Sequence, residues 1–313
     1  MDANDSAPST SNGRIAFIAT KPIQIITSMI LAQQLACETA SLSVVPNFAD
    51  GLAVTDRLRR HGHEFASVSA ARNRVLAIVG HGVRGAPRIF IDRDMGARTT
   101  ATMRLVKAMR PQTRFALYEE GLSLLDPSLE ARPRLIMERL GATPELGTGH
   151  LTEEVWTYSP DTLRLRLPSK RIYKIDVSLA AFMEQERSRL VEVFWPSYVD
   201  DIRGWGGERC CLYLSSWHVD QGALARLARS PGRSICKLHP HIRDQTLIDR
   251  GAVDQVLSPA IPAELVVIAL ARAFEAVEVL HDNTSTAHYI SLPNVRFLQV
   301  DDAEATTAGL GDS

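Results

Sequence analysis

Short apolar runs alternate with longer amphipathic stretches over most of the chain. Residues 13–20 (GRIAFIAT) precede Lys21-Pro22 and an amphipathic stretch over residues 23–37. Because proline suits the first turn of a helix, this pattern predicts a strand that leads into a helix. Further apolar runs of strand length lie at residues 42–45, 75–79, 88–91 and 114–118. The segments between them are as long as parallel crossovers require, so the first half predicts an open α/β sheet.

The second half repeats this rhythm after an irregular region. Between about residues 125 and 205 Pro and Arg are frequent, and the alternation over residues 161–174 favours an edge strand. Strands are then predicted at 209–214, 234–238 and 255–257, and helices at 219–228, 243–250 and 262–277. The sequence therefore predicts two Rossmann-like domains, 13–190 and 191–301, between disordered tails at 1–12 and 302–313.

Composition excludes several classes of protein. A chain of 313 residues suits two domains, and 45% hydrophobic residues exclude general disorder. The net charge of -1 supplies no field that would attract nucleic acid. The four cysteines show no metal-ligand spacing, which is typical of a reduced, cytoplasmic protein. With no apolar window of about 18 residues and a polar start, the chain is expected to be neither exported nor membrane-spanning.

Two adjacent carboxylates follow the predicted strand 114–118. Glu119 and Glu120 precede Gly121 at the carboxyl end of that strand. Crowding of like charges and partial burial favour a carboxylate that can take up a proton, as a general base must. The alternative is a solvated loop whose acids favour the N-terminus of a following helix.

A cation and an imidazole follow the predicted strand 234–238. Lys237 and His239 fall on the same side of an extended chain, and Pro240 makes the exit from the strand rigid. Such a pair suits phosphate, with the lysine as a charge and the histidine as a donor to a leaving oxygen. The alternative is a structural histidine.

Two further segments contain polar groups suited to a ligand. Residues 258–264 (SPAIPAE) begin a predicted helix with Glu264 in its first turn, and residues 282–286 (DNTST) form a hydroxyl-rich turn. Hydroxyls and backbone N–H groups in a turn bind phosphate oxygens well. The alternative role of the Thr-Ser-Thr sequence is a helix cap.

In this order, the Glu-Glu-Gly, His-Pro and Ser-Thr motifs resemble those of the bacterial sialyltransferases. The resemblance is greatest to the lipooligosaccharide sialyltransferase and capsular polysialyltransferase groups, whose first strand is followed by a Thr/Ser-x-Pro-x-Gln turn. Residues 20–24 read TKPIQ here, and the resemblance covers about residues 14–290. It implies a GT-B fold, with two Rossmann-like domains facing across a cleft. It also implies inverting transfer of sialic acid, or a related nonulosonic acid, from its CMP-activated donor to a glycan hydroxyl.

The resemblance also implies roles for individual residues. Glu119 or its neighbour Glu120 is the expected base, and His239 serves the leaving CMP phosphate. The expected donor-binding residues comprise a cytidine pair, the proline of the His-Pro motif and the hydroxyls at the phosphate: Lys237, Glu264, Pro240, Ser285 and Thr286, with Thr284 as an alternative contact. Leu238 departs from the Gly or Pro that is common in the family. No metal or other cofactor is expected, because a nucleoside monophosphate is already a fair leaving group.

Other interpretations remain open at this stage. Asp92 and Asp94 form an Asp-x-Asp pair that, in metal-dependent transferases, holds the ion bridging a nucleotide diphosphate. The chain could also be a non-catalytic glycan-binding or scaffold module, or a nucleotide-sugar epimerase on the same architecture.

Two further groups of charged or titratable residues are considered for a role in binding. A basic cluster is either a contact for an anionic acceptor or the inner membrane surface, or a solvated edge. It comprises Arg164, Arg166, Lys170, Arg171 and Lys174. Four histidines without ligand spacing are expected at the surface, namely His61, His63, His81 and His150.

Overall fold

The computed structural model describes residues 14–37, 39–119, 121–126, 137, 139, 141–242, 246, 248 and 253–300. The chain divides into two compact units. The first comprises residues 1–47 and 51–178, and the second comprises residues 48–50 and 179–313. The sequence predicted the domain boundary at residue 190, whereas the first unit ends at residue 178.

The first unit is built on a parallel sheet. Its described strands are β1 (Ile15–Ala19), β2 (Ala40–Val44), β3 (Ser67–Ala70), β4 (Arg88–Ile91), β5 (Arg114–Tyr118), β6 (Thr152–Thr157) and β7 (Arg171–Lys174). They lie in the order β3-β2-β1-β4-β5-β6-β7. The direction in which successive strands are added reverses between β1 and β4, and ligands of doubly wound sheets bind beside such a reversal.

Helices cover this sheet and close its core. They are α1 (Pro22–Gln34), α2 (Gly51–His61), α3 (Arg74–Val83), α4 (Ala97–Met109) and α5 (Pro160–Arg166), with a 3-10 turn at Leu122–Leu124. Helices α3 and α4 approach closely at Gly82, where a Cβ atom would lie 2.7 Å from Val106 Cγ1. A side chain at residue 82 would therefore push the two helices apart.

The second unit repeats the plan with a smaller parallel sheet. Its described strands are β8 (Gly207–Leu214), β9 (Arg233–Lys237), β10 (Gln255–Leu257), β11 (Phe274–His281) and β12 (Val295–Gln299), in the order β10-β9-β8-β11-β12. The helices are α6 (Leu179–Gln185), α7 (Arg187–Phe194), α8 (Tyr198–Asp201), α9 (Gln221–Arg229), α10 (Ala263–Ala273) and α11 (Thr286–Tyr289). The reversal in this sheet lies between β8 and β11. Two Rossmann-like sheets in one chain confirm the predicted α/β fold class, of the GT-B type.

The predicted strand at residues 75–79 is wrong, because this run belongs to helix α3. Asn73 caps the helix, with its side-chain oxygen accepting a hydrogen bond of 2.9 Å from the backbone N–H of Leu76. The buried positions Ala77, Ile78 and His81 follow helical spacing. An apolar run of five residues does not distinguish a strand from one side of a helix.

The predicted helix at 262–277 is also wrong in its last part. Helix α10 ends at Ala273, and the chain continues directly as β11, which lies between β8 and β12. Residues 274–281 (FEAVEVLH) combine aromatic and β-branched side chains that favour a strand. No turn residue separates them from the helix, so the local pattern does not show where the helix stops.

The remaining differences concern the irregular middle region and the segments outside the description. Residues predicted as one edge strand at 161–174 form helix α5 and then β7, which is the edge strand of the first sheet. Strands β3, β6 and β12 were not predicted. Most of the predicted helix at 243–250, both predicted tails (1–12 and 302–313) and Glu120 lie outside the described residues.

Candidate functional site

Three loops with polar side chains leave the carboxyl edge of the second sheet. Ser215 follows β8, His239 follows β9 after Leu238, and the turn 282–286 follows β11. Helix α10 begins at the same edge after Pro262, with Glu264 in its first turn. The edge at the reversal between β8 and β11 is where a doubly wound sheet binds its ligand.

A buried network brings together three motifs that are separate in the sequence. Lys237 and Glu264 are 3% and 4% exposed, and Thr286 is buried beside them. The Thr286 hydroxyl donates a hydrogen bond of 2.9 Å to Glu264 Oε1. Lys237 Nζ donates to the carbonyl of its neighbour Leu238 at 3.0 Å. The predicted donor-binding residues Lys237, Glu264 and Thr286 thus lie in one part of the second unit.

Burial shifts the pKa of both charged groups. It lowers the pKa of the Lys237 ammonium to about 8, against the opposing attraction of Glu264. It raises the pKa of the Glu264 carboxyl, while a hydrogen bond from its own backbone N–H, the Thr286 hydroxyl and the Lys237 charge limit the rise. A desolvated charge of this kind is stabilised by any ligand that supplies a matching hydrogen-bonding group.

The hydroxyls of the turn after β11 differ in their availability. Thr284 Oγ1 donates to Thr286 Oγ1 at 3.1 Å, and Thr286 donates onward to Glu264. Both threonine hydroxyl hydrogens are therefore used inside the protein. Among the described residues, none makes a hydrogen bond with the Ser285 hydroxyl. Of the three predicted phosphate contacts, Ser285 is the one whose hydroxyl hydrogen no such bond engages.

His239 is held by its backbone and by one ring nitrogen. Its backbone N–H donates to Ser215 Oγ at 2.8 Å, and its Nδ1 accepts a bond of 3.3 Å from the backbone N–H of His241. In the neutral imidazole this arrangement leaves the hydrogen on Nε2, which can then act as a donor. Pro240 fixes the loop through its carbonyl, which accepts from Ala49 N at 2.9 Å.

An exposed aromatic side chain lies against these histidines, and the sequence reasoning missed it. The Trp217 ring centroid is 4.7 Å from that of His239 and 4.7 Å from that of His241. The signal available in the sequence was weak, since it consists of one tryptophan after two serines at a strand end.

In the first unit, Glu119 lies at the carboxyl end of β5 and is 1% exposed. Its Oε2 accepts a hydrogen bond from the Thr157 hydroxyl and one of 3.0 Å from the backbone N–H of Tyr158. Both donors belong to the end of the neighbouring strand β6 and the loop that follows it. These bonds fix the carboxylate in place, so it is not the solvated loop residue of the alternative interpretation.

Asp92 stands at the reversal of the first sheet and organises the turn after β1. Its carboxylate accepts from Thr20 Oγ1 at 3.2 Å and from Gln24 Nε2 at 3.3 Å, and it forms an ion pair with Arg74. Burial works to raise the pKa of Asp92, but the charge and hydrogen bonds of Arg74 outweigh it and hold the pKa below its usual value. The threonine and glutamine of the Thr-x-Pro-x-Gln turn thus share a carboxylate partner.

Asp94 supports a neighbouring loop. It is 1% exposed and accepts hydrogen bonds from the backbone N–H groups of Gly147 at 2.9 Å and Gly149 at 3.1 Å. A Cβ atom at Gly149 would lie 2.6 Å from Asp94 Oδ2, which leaves no room for another residue there. Burial raises the pKa of Asp94, and the two backbone bonds limit the rise. Within the described ranges, no group of three potential metal-ligating side chains occurs.

Two residues of the basic cluster form hydrogen bonds within the first unit. Arg166 donates to the carbonyls of Leu124 and Leu146, and Lys170 donates to those of Gly149 and Thr152. These two cations therefore brace loops at the edge of the sheet, which neither interpretation of the cluster anticipated.

The expectation of a surface position is wrong for His81. This side chain is 3% exposed, and its Nε2 lies 2.9 Å from Ser43 Oγ. Burial, with the nearby charge of Arg84, lowers its pKa to about 4. A histidine on the inner side of a helix has the same local sequence signal as one on the outer side, so spacing alone could not place it.

Helices long and apolar enough to span a membrane do not occur in the described part of the chain.

Comparison with known proteins identifies the fold. No protein-family model matches the sequence, and no curated protein matches it. Among solved structures, the chain is similar to UDP-GlcNAc 2-epimerase from Neisseria meningitidis bound to UDP-GlcNAc, with a TM-score of 0.52, 12% identity and coverage of 95% of this chain and 90% of that one. A UDP-N-acetylglucosamine 2-epimerase gives a TM-score of 0.51 at 12% identity, with coverage of 97% and 88%. The glycosyltransferase SnogD from Streptomyces nogalater gives 0.43 at 14% identity, with coverage of 96% and 85%. At these identities the likeness establishes the fold, and the chemistry must be argued from the residues.

Proposed function

We propose that this protein is an inverting glycosyltransferase that moves sialic acid, or a related nonulosonic acid, from its CMP-activated donor to a glycan hydroxyl. The observation that carries the proposal is the buried network of Lys237, Glu264 and Thr286 at the carboxyl edge of the second sheet. Its members come from three segments to which the resemblance assigns donor binding, and a doubly wound sheet binds nucleotides at this edge. The general class, an enzyme acting on a sugar nucleotide, also agrees with the fold comparisons.

The second unit supplies groups for the leaving phosphate. As the bond between the sugar carbon and the phosphate oxygen breaks, its electron pair leaves with CMP. His239 Nε2–H and the Ser285 hydroxyl would donate hydrogen bonds to the phosphate oxygens and stabilise the growing charge. His239 is suited to this role because its Nδ1 already accepts a bond from His241 N–H.

The first unit supplies the base. The acceptor hydroxyl loses its proton to the Glu119 carboxylate while its oxygen forms the new bond to the anomeric carbon. Attack from the side opposite to CMP inverts the configuration. The bonds from Thr157 and Tyr158 fix the position of Glu119 before the substrate arrives, as a general base requires.

Base recognition follows from the chemistry of Glu264. Cytosine carries an exocyclic amine donor where uracil carries a carbonyl acceptor, so a carboxylate attracts the first and repels the second. We therefore expect CMP to bind more tightly than UMP. The preference should be worth about 1–3 kcal/mol, the free energy of leaving a buried polar group unpaired.

Calorimetric titration of CMP and UMP into the unmodified protein and its Glu264→Gln variant tests this assignment. The variant should lose most of the preference for CMP. Glu275→Gln, which removes an exposed acid on β11, is the matched control and should keep the preference. Equal affinity of the unmodified protein for both nucleotides would remove the assignment of a CMP-linked donor.

A second candidate is an enzyme that acts on a UDP-linked sugar. The observation that favours it is the similarity of the fold to the two UDP-GlcNAc 2-epimerases, at TM-scores of 0.52 and 0.51. The same titration discriminates, because this candidate requires tighter binding of UMP than of CMP. Incubation with each nucleotide sugar then separates enzymes from a non-catalytic module, since a binding module releases no free sugar from its donor.

A further inference from the structure

The loop after β8 presents a large aromatic side chain to solvent. Trp217 is 62% exposed, although it lies two residues from buried Ser215. The loop is anchored, because Ser215 N–H donates to Lys237 O at 3.1 Å and Ser215 Oγ accepts from His239 N–H at 2.8 Å. The exposure of Trp217 therefore belongs to a loop that is tied to the candidate site.

The exposed indole is held in a defined orientation. Its plane lies 14° from that of the His241 ring at a centroid distance of 4.7 Å, which is a stacked arrangement. The His239 ring lies at the same distance and is tilted by 32°. The contact with the two imidazoles covers part of the indole and leaves the rest exposed. An ordered, exposed aromatic surface beside buried polar groups is typical of a ligand-binding wall.

The position of Trp217 indicates which part of a nucleotide sugar it would meet. The proposed nucleoside contacts Lys237 and Glu264 are buried, whereas Trp217 is exposed and contacts His239, the proposed phosphate ligand. In a nucleotide sugar the phosphate separates the nucleoside from the sugar. The succession of buried nucleoside contacts, phosphate ligand and exposed indole thus matches the succession of nucleoside, phosphate and sugar in such a molecule.

From this arrangement we infer that Trp217 is a sugar-contacting residue, whose open indole surface packs against the ring of the transferred sugar. The inference rests on the proposed function for the location of the nucleotide. Apolar C–H groups on a sugar ring pack well against an aromatic surface, and the contact adds to affinity without changing the recognition of the base.

The test compares a nucleotide with its sugar-linked form. CMP and a CMP-sialic acid analogue with fluorine at C3, which resists transfer, are titrated calorimetrically into the unmodified protein and its Trp217→Ala variant. The substitution should weaken binding of the analogue about three- to tenfold and leave CMP binding unchanged. Trp217→Phe should retain most of the affinity. Val199→Ala, which shortens another exposed apolar residue of the second unit, is the control and should change neither.

Two outcomes would overturn the inference. Unchanged affinity of Trp217→Ala for the analogue would exclude a sugar contact, and an equal loss for CMP and the analogue would assign Trp217 to the nucleotide. Titration of UDP and UDP-GlcNAc in parallel separates this failure from failure of the proposed function. Should the unmodified protein bind only the UDP pair, the CMP assignment fails, and the same difference between sugar-linked and sugar-free nucleotide still decides the role of Trp217.

Discussion

The carboxyl edges of the two sheets use polar side chains in opposite ways. Three buried carboxylates at the carboxyl edge of the first sheet have internal donors: Asp92 has Arg74, Asp94 has two glycine N–H groups, and Glu119 has Thr157 and Tyr158.

In the second unit, Lys237 and Glu264 attract one another but bond to neutral groups, Leu238 and Thr286. Of the three ammonium hydrogens of Lys237, one bonds to a described residue. A satisfied polar group holds a loop in shape, whereas a buried group with spare donors gains free energy from a ligand. The comparison favours the second edge for the proposed nucleotide, whereas the first edge holds its carboxylates, including the proposed base Glu119, in fixed positions.

The largest effect should come from removing one proposed reacting group at each edge. Glu119→Gln keeps an oxygen that can accept from Thr157, but it cannot take up the acceptor proton. His239→Ala removes the proposed donor to the phosphate. Each variant should lower turnover about a hundredfold or more, the usual scale for general acid–base groups. Steady-state rates with CMP-sialic acid and a glycan acceptor measure this effect.

The two variants should differ in nucleotide binding. Glu119→Gln should bind CMP as the unmodified protein does, because the proposed nucleotide contacts belong to the second unit, whereas His239→Ala should bind it more weakly. Glu153→Gln, on the neighbouring strand β6, is the control for the loss of an acid and should keep full turnover. Near-normal rates in Glu119→Gln would exclude it as the base.

The next largest effect should be on stability. Asp94→Ala leaves the N–H groups of buried Gly147 and Gly149 without their acceptor, which should lower the free energy of unfolding by about 2–3 kcal/mol. Asp94→Asn retains one acceptor oxygen and should lose less. Urea unfolding measures both, with Asp161→Ala, which alters an exposed ion pair, as the control.

Treatment with a chelator distinguishes a structural role of Asp94 from a role in binding a metal ion. If Asp94 only supports the loop, activity should survive excess chelator. Loss of activity with EDTA that Mn²⁺ restores would instead favour the metal-dependent interpretation of Asp92 and Asp94.

The first unit should also lose stability in mild acid because of His81. Its pKa is lowered to about 4 in the folded protein, so the unfolded chain takes up the proton first as the pH falls below about 6.5. The free energy of unfolding should therefore fall by about 2 kcal/mol between pH 7 and pH 5 through this residue. Urea unfolding at both pH values measures the loss. His81→Asn should remove this part of the pH dependence, and His150→Asn, at an exposed position, should not.

The smallest effect should come from Ser285. Its hydroxyl is the one in the turn after β11 that no hydrogen bond engages among the described residues, so Ser285→Ala should weaken CMP binding about three- to tenfold, as expected for one hydrogen bond. Ser230→Ala, whose hydroxyl bonds to Arg226 O in α9, is the control. A larger loss in Thr286→Val with none in Ser285→Ala would show that the internally bonded hydroxyl matters instead.

Much of the fold could be predicted because the alternation of strands and helices follows from local patterns of apolar and polar residues. Residues 15–19 are an apolar run before a proline-started helix, and the structure confirms β1 and α1 there. Residues 255–257 form β10 with the predicted bounds. The predicted site residues of the second unit could be located for the same reason, since a polar residue that follows an apolar strand must lie at an edge of the sheet.

The errors share one physical cause. Residues 75–79 (VLAIV) and 274–277 (FEAV) have compositions that fit a helix or a strand, and the choice between the two depends on neighbours that come from distant parts of the chain. The cap at Asn73 and close packing against α4 stabilise the helical conformation of α3. Pairing with β8 on one side and β12 on the other stabilises the extended conformation of β11.

The sequence by itself determined the class of fold, the ends of several strands and the residue types available for chemistry there. The tertiary structure alone decided which of those residues meet. In the folded protein Thr286 donates a hydrogen bond to Glu264, Asp94 accepts hydrogen bonds from two glycine N–H groups, and the Trp217 ring stacks on His241. The reason is that strand and helix periodicity is a property of neighbouring residues, whereas burial and hydrogen-bond partnership depend on residues brought together only when the sheets form.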